Sequence, residues 1–60
     1  MPPTYEDLVE LANTCARHAR TPLTSKEVAA ELWKMATEYQ ERAARLNGGK
    51  TADIGPPPQL

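Results

Sequence analysis

Pro22 divides this chain into two stretches that each keep their apolar residues on one side of a helical wheel, and this constrains the fold more than any other feature. From Tyr5 to Ala19, a rotation of about 100° per residue gathers Tyr5, Leu8, Val9, Leu11, Ala12, Cys15, Ala16 and Ala19 into one arc of roughly 160°. Glu6, Asp7, Glu10, Asn13, Thr14, Arg17, His18 and Arg20 fill the opposite arc. A half-buried strand would alternate, and this pattern does not. Thr4 stands where an N-cap belongs, with Asp7 three residues on as the second half of a weak capping box. Pro22 disfavours helical geometry at Thr21 and ends the segment.

The restart is marked by Thr24-Ser25-Lys26-Glu27, which reads as a capping box of Thr24 with Glu27, flanked by a Leu23–Val28 hydrophobic staple. The second helix is predicted from 25 to 46, with Asn47-Gly48 as a left-handed stop. A connection of about four residues sets neighbouring helices side by side and antiparallel. The fold class is therefore all-α, an antiparallel two-helix hairpin over residues 5–20 and 25–46. Residues 1–47 form the hairpin and 48–60 a flexible Gly/Pro-rich tail ending in a short polyproline II segment, Pro56-Pro57-Pro58.

The second segment has more apolar surface than one short partner needs. Val28, Leu32, Met35, Tyr39 and Leu46, spaced 4, 3, 4 and 7, form a seam expected to face the first helix. With Leu8, Ala12 and Cys15 opposite, Val28, Leu32, Met35 and Tyr39 make the expected hairpin core. Beside that seam runs a second stripe of Ala29, Trp33, Ala36 and Ala44, in which small residues flank the indole and let another backbone come close. A 60-residue chain buries only about 60% of the surface its unfolded form exposes. Two short helices with many alanines fall short of the apolar burial that ordering them requires. The second stripe is accordingly expected to be an interface, most simply between two hairpins in a symmetric four-helix bundle.

Several chemistries are excluded by residue type or spacing. Seven basic against eight acidic residues give a net charge of −1 and no basic patch to draw nucleic acid or anionic lipid. One cysteine, Cys15, and one histidine, His18, cannot supply the four ligands of a structural zinc site, and no disulfide framework exists within the chain. Gly48-Gly49-Lys50-Thr51 ends like a phosphate-binding loop but lacks the earlier glycine, and it follows a helix instead of a strand. No catalytic pair or triad stands out, so no enzyme, cofactor, metal or small-molecule substrate is expected. The first residues lack a basic start and an apolar core, and no apolar run approaches the ~20 residues of a membrane span. A cytoplasmic protein is expected.

Leu23-Thr24-Ser25-Lys26-Glu27-Val28-Ala29-Ala30-Glu31-Leu32 resembles the first helix of excisionase-type winged helix-turn-helix proteins. Trp33-Lys34-Met35-Ala36 then continues the helical period where those proteins turn, so the recognition helix is missing. The run from Ala30 to Leu46, with its Trp33 and Tyr39 pair, resembles small helical-hairpin proteins of alphaproteobacteria that have no assigned activity. That resemblance implies a bacterial, cytoplasmic hairpin and nothing about chemistry.

The function expected from the sequence is a non-catalytic protein–protein interaction module that self-associates. The alternatives are an accessory subunit that orders on a larger protein and a small nucleic-acid-binding regulator. Pro56-Pro57-Pro58 or the carboxylate of Leu60 could also be held by a partner.

Overall fold

Thr4 starts the first helix as its composition demands. In the computed structural model, which describes residues 3–58, its hydroxyl accepts from the Asp7 amide at 3.2 Å, and Asp7 returns a carboxylate oxygen to the Thr4 amide at 3.2 Å. Two of the amides that a helix start leaves unpaired are thereby satisfied. Helix α1 runs Tyr5–Ala19, with Arg20 as its C-cap and Glu6 and Asp7 in the first turn, where carboxylates favour the helix dipole. Helix α2 runs Lys26–Leu46. The chain leaves it through Gly48 at φ +68°, while the Gly49 amide reaches back to the Ala44 carbonyl at 2.7 Å. This six-to-one bond with a left-handed residue inside it is the Schellman stop that Asn47-Gly48 announces. The helices pack against each other, and no strand occurs among the described residues.

The start of α2 is displaced by one residue from the expected cap. Ser25 is the N-cap, its hydroxyl accepting from the Val28 amide at 3.3 Å. Thr24 serves the other helix, donating its hydroxyl to the His18 carbonyl at 2.9 Å and so satisfying an open end of α1. The shift puts Glu27 at the second helical position, out of reach of a capping box, and breaks the Leu23–Val28 staple. Leu23 is accordingly 97% exposed. Ser25→Ala is expected to lower stability by about 1 kcal/mol, more than Thr24→Ala. Urea denaturation of the two variants measures the difference.

The larger departure is a rotation of α2 about its axis. Ala29, Ala36 and Ala43, seven residues apart, are buried, as is Ala44. Ala36 sits with Ala12 and Ala16 of α1 in the core, all three without solvent exposure. The stripe Ala29, Trp33, Ala36 and Ala44, expected to meet a second copy, therefore points into the chain's own interior, with Trp33 half-buried against the core. Of the expected hairpin core, Leu8 and Ala12 are buried, while Cys15, Leu32 and Tyr39 are half-buried. Val28 and Met35 are outside. The physical reason is fit. Methyl side chains on both helices let the backbones approach closely, because interaxial distance follows the side chains at the contact. Larger side chains then flank that contact instead of filling it.

The segment expected to be a flexible tail also contributes to the core. Ile54 is 5% exposed and packs with Ala12, Ala16 and Ala36. The hairpin plus this strap is thin, with Cα extents of 33 × 22 × 13 Å. Leu60, whose carboxylate was a candidate for capture, lies outside the described residues.

Candidate functional site: an uncovered apolar face

Two polar side chains and a turn hold the strap on one side of the hairpin. Arg20 donates from Nη1 to the Ile54 carbonyl at 2.8 Å and to the Pro56 carbonyl at 3.3 Å. Gln40 donates from Nε2 to the Ala52 carbonyl. Asp53 accepts from the Gly55 amide at 2.9 Å through its side chain, an Asx turn that bends the strap at Ile54. Gln40 and Trp33 lie on one flank of the buried alanine row of α2, about 40–60° around the wheel. Arg20 and Ala16 lie on the matching flank of α1. The strap thus closes one groove between the helices.

Among the described residues, none lies across the other groove as the strap does. On that flank of α2 stand Val28, 52% exposed, Met35, 41%, and Leu46, 60%, with Leu32 and Tyr39 half-buried between them and the core. Leu11, 42% exposed, and half-buried Cys15 occupy the corresponding flank of α1. The seam with spacing 4, 3, 4 and 7 is therefore real as a stripe, but it lies at the edge of the hairpin and is partly open to water. Arg42 lies over the Tyr39 ring at 5.8 Å from its centroid, a cation–π contact that keeps this cation beside the stripe. Glu31 borders the same stripe near the start of α2 and Arg42 near its end, with Glu38 farther round on the same flank.

Among the described residues no group of three His, Cys, Asp or Glu side chains converges as metal ligands would. Cys15 packs half-buried against the alanine core, and His18 is exposed on α1. A depression of about 470 Å³ opens between the interhelix connection at Arg20–Pro22, Lys26 and Pro56–Pro58. Its walls hold two hydroxyls and two cations but no general base. No helix of the described residues is long and apolar enough to cross a membrane. No protein-family model, characterised protein or solved structure matches this chain significantly.

Proposed function

We propose that this chain is a non-catalytic interaction module that pairs with a second copy of itself through the uncovered face of α2. The observation that carries the reading is the row Val28, Met35 and Leu46 along one flank of α2, each more than two-fifths exposed, with Leu11 of α1 similarly open on the corresponding flank. Contiguous apolar surface of this kind marks interaction sites on small soluble folds.

Charge placement favours a second copy as the occupant. In an antiparallel pairing of two α2 helices about a twofold axis near Thr37, Val28 of each copy meets Leu46 of the other and Met35 meets Tyr39. Glu31 then faces Arg42 of the other copy, whereas a parallel pairing sets like charges together. Such a contact is isologous and self-limiting. The 21 residues of α2 give this pairing a length of roughly 32 Å. The result is a four-helix bundle with the two straps outermost. It differs from the arrangement expected from sequence in the stripe used, not in the architecture.

Met35→Lys is expected to convert the dimer to a folded monomer, because it places a charge at the centre of the pairing face while leaving the alanine core intact. Lys34→Ala, which lies off the stripe, should leave the mass unchanged. Sedimentation equilibrium at tens of micromolar reads both. A mass of 6.6 kDa for the native chain, with helix content intact, defeats the proposal.

A further inference from the structure

The strap and the groove beneath it form a second recognition surface, on the side of the hairpin opposite the pairing face. The contacts are those of a peptide complex made within one chain. A segment bent by the Asx turn at Asp53 supplies an aliphatic anchor, Ile54, which is 5% exposed among Ala12, Ala16 and Ala36. Three of its backbone carbonyls, from Ala52, Ile54 and Pro56, are read by two side chains of the hairpin, Gln40 and Arg20. Gly55 is required between them. Its φ is +86°, where only glycine is unstrained, and a Cβ there would stand 2.9 Å from Arg20 Nη1. The receptor side is built wholly from α1 and α2, and the ligand side lies entirely beyond Gly49. Only the two-glycine hinge Gly48-Gly49 and a few residues join them.

We propose that this groove is a peptide-binding site whose resident ligand is the chain's own Ala52–Pro56 segment. A segment of the same chemistry on another polypeptide occupies it when the strap is displaced. The ligand it fits turns at a β-branched aliphatic residue, followed by glycine at positive φ and then proline. Recognition is by main-chain carbonyls and one apolar pocket, as in other modes of peptide capture. The short tether holds the resident strap at an effective concentration in the millimolar range, so the native chain keeps its own site filled.

The test uses the full chain and the synthetic peptide Lys50–Pro58, which has no aromatic residue and leaves Trp33 as the sole indole. In an Ile54→Ala chain the strap loses its anchor while every groove residue is retained. Adding peptide is expected to return Trp33 emission saturably to the native value. The native chain should need at least about ten times more peptide for any change. A peptide carrying Ile54→Ser should be silent. Gly55→Ala, which loosens the strap without touching the apolar pocket, provides a second receptor should Ile54→Ala lose helix. Failure of both variants to respond at several millimolar peptide overturns the proposal, as does an equal response to the Ile54→Ser peptide. Met35→Lys does not touch this groove, so peptide capture and pairing fail or succeed separately.

Discussion

Ala36→Leu is expected to remove a large share of the stability of this protein. Ala36 has no exposed surface and meets Ala12 and Ala16 across the closest part of the helix contact. Three added carbon atoms cannot be placed there without pushing the helices apart. Overpacking of this kind costs about 1–3 kcal/mol, and the absence of any flexible large neighbour in the alanine row favours the upper end. A domain of this length has on the order of 3–9 kcal/mol in all. The reverse exchange of sizes, Leu23→Ala, should shift stability by less than about 0.5 kcal/mol because Leu23 is 97% exposed. Urea denaturation followed by far-UV circular dichroism gives both values. Hydropathy alone ranks the two substitutions in the opposite order.

Ile54→Ala is expected to cost about 2 kcal/mol, the lower part of the range for truncating a buried isoleucine, since the strap can settle somewhat into the space. In a chain this small that corresponds to a fall in melting temperature of roughly 8–16 °C. Arg20→Ala should weaken the same contact by less, because its bonds to the Ile54 and Pro56 carbonyls are partly open to water. A flexible tail would give no effect for either. Thermal melts of the three proteins at one concentration separate these cases and hold any dimer contribution constant.

Both helices and their limits were legible because their signals are local. Thr4 with Asp7, Pro22, and Asn47 with Gly48 each act through one or two backbone bonds, and α1 and α2 begin and end within a residue of where those signals place them. Competition between neighbours was harder. Thr24 and Ser25 are both good caps, and Ser25 takes the role because Thr24 reaches the His18 carbonyl.

The facing of α2 was not legible from hydropathy. Its apolar residues span half the wheel, and a scale that weights bulk turns Val28, Leu32 and Met35 inward. The structure puts Ala29, Ala36 and Ala43 there, because closeness of approach decides the contact and methyl groups fit where larger side chains do not. The repeat of seven in those alanines was the available signal. Ile54 gave none, since one aliphatic residue among glycines and prolines has no period. Its burial depends on Arg20, 34 positions away. The stripe of Val28, Met35 and Leu46 was thus visible in sequence, but it was expected to face α1 and lies instead at the edge of the hairpin.

The account rests on which side of α2 faces α1, and methyl-resolved nuclear Overhauser spectroscopy reads this directly. Isotope filtering in a mixed labelled sample separates contacts within one chain from those between copies. The expected intrachain cross-peaks join the Ala36 methyl to those of Ala12 and Ala16, and the Ile54 methyls to the same group. Intrachain peaks from Val28 and Met35 to Ala12 and Ala16, with none from Ala36, would contradict it.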